Sequence, residues 1–128
     1  MNEVVREWVA KAEGDFRTAS RECRARQNPN FDAVCFHAQQ CVEKLMKAAL
    51  ISAGLVPPKT HDLEQLDRLL KQTHTRWDVD LTDLRYLARA SVAFRYPGES
   101  ADKKEAQEAL AICSRLRDQL RLLLVPSP

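Results

Sequence analysis

The stretch CFHAQQCVEKLMKAAL, Cys35 to Leu50, sets a histidine, two glutamines, a glutamate and two lysines into an otherwise apolar run. At 100° per residue Gln40, Glu43, Lys44 and Lys47 gather on one side of a helix, opposite an apolar stripe from Phe31 to Ala49. Two kinds of chemistry suit such a seam. Lys44 or Lys47 could line a groove that holds a phosphate. In the plainer reading Glu43 and Lys47 form an i,i+4 pair worth a few tenths of a kcal/mol, and Gln39 and Gln40 hydrogen-bond across a helix or a dimer contact.

His61 follows Thr60, the expected cap of a third helix, where free backbone N–H groups favour an anion that Lys59 could help to hold. Its alternative role is capping and packing in the PKTHDL turn. Arg95 and Tyr96 fall between two helices, where a guanidinium can grip phosphate and a ring can stack on a base. Equally, Arg95 could pair with a carboxylate such as Asp15 and lock helices together. His37 and Cys41 are four apart and would make half a zinc site, but no second Cys/His pair has ligand spacing, so no metal and no cofactor is expected. Arg17, Arg21, Arg24 and Arg26 cluster late in the first helix and read as a solvated face or, less simply, as a track for an RNA backbone.

The elements that must position these residues are all helical. Val5, Trp8, Val9, Ala12, Phe16, Ala19 and Cys23 recur at helical spacing from about Asn2 to Arg24. RQNPN then breaks the chain, and Asn28 or Asn30 can cap a second helix running to about Ala53. Val34, Cys41, Met46, Ala48 and Ile51 spread beyond that helix's main stripe, so it is buried from two sides. Gly54, Pro57 and Pro58 end it. A short third helix carries Leu63, Leu66, Leu69 and Leu70, a loop covers Thr73 to Val79, and Asp80 can cap a fourth helix with Leu81, Leu84, Leu87, Ala88 and Ser91 in step. RYPG closes it, and Ser100 is the expected cap of a long last helix with Ala106, Leu110, Cys113, Leu116, Leu120 and Leu123 inward. No segment alternates as a strand does. An all-α antiparallel bundle of about five helices follows, one domain over 1–124 with a frayed tail at 125–128.

Composition narrows the function classes. A chain of 128 residues with 45% hydrophobic and 30% charged residues can build one core. A net charge of +2 gives no general attraction to phosphate, so any nucleic-acid contact needs a local basic patch. Four cysteines without a C-x-x-C pair, after a start that lacks a signal-peptide core, read as reduced buried thiols and place the protein in the cytoplasm. No apolar run reaches the roughly 20 residues that span a bilayer.

Four segments in order resemble the HEPN family: Trp8 with AEGDF at Ala12 to Phe16, FHAQQCVEKLMKA at Phe36 to Ala48, PKTHDL at Pro58 to Leu63, and RYP at Arg95 to Pro97. The resemblance spans nearly the whole chain. It implies a helical bundle that pairs with a second copy of itself and a nucleotide- or RNA-related role. It further implies a minimal nucleotidyltransferase partner in a toxin–antitoxin-like system. Some branches of the family are metal-independent ribonucleases with an arginine and, a short step on, a histidine, and Arg68 and His74 have that separation. In such a site the histidine would sit at the attacked 2′-hydroxyl and the arginine at the developing phosphorane charge. An unbroken helix would rotate the pair apart by about 600°, so convergence requires a helix end between them. The expected function is therefore a non-enzymatic, homodimeric binding or docking module with candidate ligand residues Gln40, Lys44, Lys47, His61, Arg95 and Tyr96. A ribonuclease using Arg68 and His74 is the alternative.

Overall fold

Asn2 begins the first helix by accepting the Val5 N–H on its side-chain oxygen at 2.8 Å. In the computed structural model, which describes residues 2–94 and 96–125, five helices follow: α1 Glu3–Arg24, α2 Phe31–Ser52, α3 Leu63–Thr73, α4 Leu81–Ala93 and α5 Lys103–Leu123. There is no strand among the described residues. Of the expected tail only Val125 is described.

Asn30 caps α2 through the Ala33 N–H, and Asp80 caps α4 through the Thr82 N–H, both as the sequence suggests. Two caps lie elsewhere. Asp62, not Thr60, caps α3, accepting from Glu64 and Gln65, while the Thr60 hydroxyl accepts the Asp62 N–H just outside the helix. Asp102, not Ser100, caps α5 in a reciprocal capping box with Glu105. In each case an aspartate two residues later displaces a hydroxyl, because a carboxylate at the N-terminus also complements the helix dipole.

Helix α2 ends in a Schellman motif: Leu55 N–H reaches the Leu50 carbonyl, Gly54 N–H reaches Ile51, and Gly54 takes φ 86°, a region open to glycine without a Cβ penalty. Among the described residues α2 is the one helix that touches all four others. Val34, Cys35, Cys41, Val42, Leu45, Met46, Ala48 and Leu50 are fully buried around its circumference, which accounts for apolar residues well beyond one stripe. Leu66 and Leu70 of α3, Leu84 and Leu87 of α4, and Ile112, Leu116 and Leu120 of α5 close the core around it. Each such side chain contributes about 1.5–3 kcal/mol by leaving water.

The segment between α3 and α4 is not a plain loop. Trp77 is buried there and donates its indole N–H to Asp67 of α3 at 2.8 Å, and Lys71 closes the other Asp67 oxygen at 3.0 Å. Across the bundle Glu13 of α1 takes a forked bond from Arg117 of α5, 2.7 to 3.0 Å, and a further one from Arg121 at 3.0 Å. Burial alone would raise the Glu13 carboxyl, but the guanidiniums outweigh it and hold it below the ordinary glutamate value.

Candidate functional site

The polar residues of α2 meet α1 and the segment leading into α3 in two adjoining charge clusters. In the first, both oxygens of Asp15 on α1 are used: His37 Nδ1–H donates to one at 2.7 Å and Lys44 Nζ to the other at 2.6 Å. In the second, buried Glu43 accepts from Gln39 at 3.1 Å, from His61 Nδ1–H at 2.9 Å and from Lys47 at 3.1 Å. Gln40 extends the chain by donating to the Gln39 carbonyl at 2.8 Å. The glutamines thus bond along their own helix, not across a helix contact.

Antiparallel packing of α1 on α2 sets this register. It places Trp8 beside Lys47, whose ammonium lies 5.7 Å from the indole centroid, and Asp15 between His37 and Lys44. Glu43 and Lys47 retain only 4% and 9% side-chain exposure. The pair that reads as a weak surface contact in the sequence is therefore a buried one, where removing one partner costs far more. No buried side-chain nitrogen or oxygen among the described residues lacks a partner.

Beside the clusters a cleft of about 290 Å³ opens between Glu7, Trp8, Lys11 and Lys44. Its lining combines the Trp8 side chain with two lysines and the exposed Glu7. Lys11 is exposed and forms no ion pair among the described residues, and Lys44 leans on Asp15.

Of the candidate residues, the structure brings together Gln40, Lys44, Lys47 and His61, though Lys47 is sealed beneath Trp8. Tyr96 lies apart, 72% exposed in the turn between α4 and α5. Arg95 lies outside the described residues. The Asp15 carboxylate considered for Arg95 is held by His37 and Lys44. His61 does not cap α3, because Asp62 fills that position.

The helix end between Arg68 and His74 falls at Thr73, with His74 as the C-cap of α3. Helix α3 runs unbroken to Thr73, Arg68 is exposed, and His74 donates its Nε2–H to the Ala49 carbonyl at the end of α2 at 2.9 Å. His37 and Cys41 diverge: His37 turns to Asp15 while Cys41 enters the core. The neighbouring Cys113 thiol and burial both push the Cys41 thiol above the ordinary range. Burial likewise pushes Cys35 up to about 11. Both stay protonated at neutral pH and act as packing groups, not nucleophiles. No group of three metal-ligating side chains occurs among the described residues.

Sequence reasoning did not find Lys11, nor the links from Asp15 to His37 and from His61 to Glu43. The links join residues 22 and 18 positions apart, so no local spacing signals them. Trp8, Asp15, His37, Glu43 and His61 all stood in the family-like segments, which hinted at the residues but not at their pairing.

A match to the family model "HEPN domain" covers residues 5–123. The chain belongs to the HEPN family. A crystal structure of TT1696 from Thermus thermophilus superposes with a TM-score of 0.76 at 23% identity, covering 96% of this chain and 99% of that one. The archaeal HEPN homologue ST0689 superposes with a TM-score of 0.69 at 19% identity, covering 98% and 100%. At these identities the likeness is one of fold. No curated protein sequence matches the chain. The clusters on α1 and α2 are thus features of a HEPN bundle.

Proposed function

We propose that this HEPN protein is a non-enzymatic binding module that takes up a nucleotide or an RNA end at the Trp8 cleft. In this reading it works as a homodimer beside a minimal nucleotidyltransferase in a toxin–antitoxin-like system. The observation that carries the reading is an open cleft whose lining brings Trp8 together with Lys11 and Lys44, beside Glu7. A ring face is a stacking partner for any base, worth about 1–3 kcal/mol per base, and an adjacent ammonium suits the phosphate. The neighbouring clusters hold the shape of the cleft. Their histidines and Lys47 already point their donors at buried carboxylates, which suits a scaffold better than proton transfer. No geometric feature favours the ribonuclease alternative.

Trp8 and Trp77 are the two tryptophans, and Trp77 is buried. Titration with mononucleotides and short RNA should therefore quench Trp8 fluorescence selectively, and Trp8→Phe should remove the quench. Lys11→Glu should weaken binding about tenfold, the scale of one charge-assisted contact. RNA should stay intact throughout. Equal binding by a Trp8→Ala/Lys11→Glu variant would refute the cleft, and metal-independent cleavage would revive the ribonuclease.

A further inference from the structure

At the other end of α1, 16 residues from Trp8 and so about 24 Å along the helix, a hollow of about 520 Å³ is framed by the α1–α2 turn and the start of α5. Arg24 and Arg26 line it from the α1–α2 junction and Lys103 from the start of α5. All three are exposed, and none forms an ion pair among the described residues. The Phe31 ring supplies an apolar wall and the Gln107 amide a neutral hydrogen-bonding group.

Unpaired cations would be unremarkable if no carboxylate were near, but four are. Each is committed to backbone. Glu22 accepts the Asn30 N–H at 2.5 Å and Asp32 the Ala101 N–H at 2.7 Å, while Asp102 and Glu105 bond each other's backbone N–H groups at 2.7 and 3.1 Å. These bonds also fix the walls. The Glu22 bond closes the α1–α2 turn, in which Asn28 takes φ 48°, a left-handed conformation that asparagine tolerates. The Asp32 bond ties α2 to the approach of α5. The result is a framed hollow with three cations on its lining and no carboxylate on that lining.

We propose that this hollow is a binding site for a phosphorylated small molecule, with the phosphate or diphosphate held by Arg24, Arg26 and Lys103 and an organic part lying against Phe31. Two guanidiniums grip phosphate oxygens in forked geometry and an ammonium adds a point charge. The volume falls in the range of ordinary ligand sites, roughly 300–1,000 Å³, and exceeds what a lone phosphate needs. Cys23 lines the same hollow and is the one cysteine of the four that is not buried, so its alkylation reports occupancy.

The test is calorimetric titration of the full chain with pyrophosphate, adenosine diphosphate and adenosine at low ionic strength, repeated in a Trp8→Ala/Lys11→Glu background. That background disables the cleft at the far end, so the failure of either site is read separately. Pyrophosphate should bind in both backgrounds, adenosine diphosphate should bind more tightly because of the ring contact, and adenosine should not bind to the Trp8→Ala/Lys11→Glu protein. Arg24→Glu/Arg26→Glu should weaken pyrophosphate binding at least about tenfold and abolish the protection of Cys23 from alkylation. Lys103→Glu should do the same without touching the turn, since a carboxylate suits the first turn of α5. Undiminished binding in these variants, or no binding of either phosphate by the wild type, overturns the proposal. So does a clear preference for a long oligonucleotide with steep salt dependence, which would instead mark a backbone track continuing along Arg17 and Arg21.

Discussion

The two ends of α1 use the same residue types in opposite ways. Near Trp8 and Asp15 the carboxylates answer side chains: Asp15 binds His37 and Lys44, and Glu43 binds Lys47 and His61. Near Arg24 the carboxylates answer backbone N–H groups, at Asn30, Ala101, Asp102 and Glu105, and the cations face solvent. A charge count cannot tell these apart. Where a carboxylate directs its lone pairs decides whether a nearby cation is structural or free to bind.

The comparison breaks most readily at Glu43. Substitution by alanine leaves Lys47 buried without its counter-charge and Gln39 and His61 without an acceptor, which should cost about 3–5 kcal/mol. The melting temperature should fall by roughly 12–20 °C, at about 4 °C per kcal/mol for a domain of this size. Adding Lys47→Met should recover most of the loss, because a long apolar side chain under Trp8 needs no counter-charge. A fall of less than about 4 °C for Glu43→Ala would show the pair to be as weak as a surface contact, and the distinction between the two ends would lapse.

The architecture was legible because it depends on periodicity. Five segments step by three or four, and the spread of apolar residues around α2 identified the central helix before any contact was known. Capping was legible at Asn30 and Asp80, and it slipped by two residues at Asp62 and Asp102 where several polar side chains compete for one position. What stayed hidden depends on partners distant in sequence. Asp15 gave no sign that it would choose Lys44 and His37, Trp77 gave none that it would reach back to Asp67, and His61 looked like a capping residue because Glu43 is 18 positions away. The arginine cluster from Arg17 to Arg26 was visible, but the hollow it borders requires Lys103 from the far end of the chain.

A smaller effect sharpens the comparison at a third place, the Glu13 staple between α1 and α5. Its folded-state pKa lies below the ordinary value of 4.5 because Arg117 and Arg121 favour the charged form more than burial opposes it. Below 4.5 the unfolded chain binds the proton first, so the staple's contribution is present at neutral pH and is lost as pH falls through the lower folded value. Glu64 and Asp80 are lowered as well, but both are more exposed, and solvent screens them. Denaturant unfolding of wild type and Glu13→Gln from pH 7 to pH 3 should show the variant less stable at pH 7 and the two curves converging at the acid end. Parallel curves would mean that Glu13 titrates as it does in the unfolded chain.

The smallest effect belongs to the cationic end and is the most discriminating. Arg24→Ala/Arg26→Ala removes two guanidiniums that have no carboxylate partner among the described residues and whose neighbours are anchored to backbone without them. Exposed substitutions away from caps, core and buried pairs change stability by no more than about 0.5 kcal/mol, so the melting temperature should move by less than about 2 °C. The sign of that small change is informative. Arg24 stands in the last turn of α1, where a cation complements the helix dipole, while Arg21, Arg24 and Arg26 repel one another across the same turn. Adding salt screens both terms, so a shift that persists unchanged at high salt would come from packing instead. A drop of about 4 °C or more would mean that these arginines hold the α1–α2 turn together, and the hollow would then be a structural joint with no charge left for a ligand.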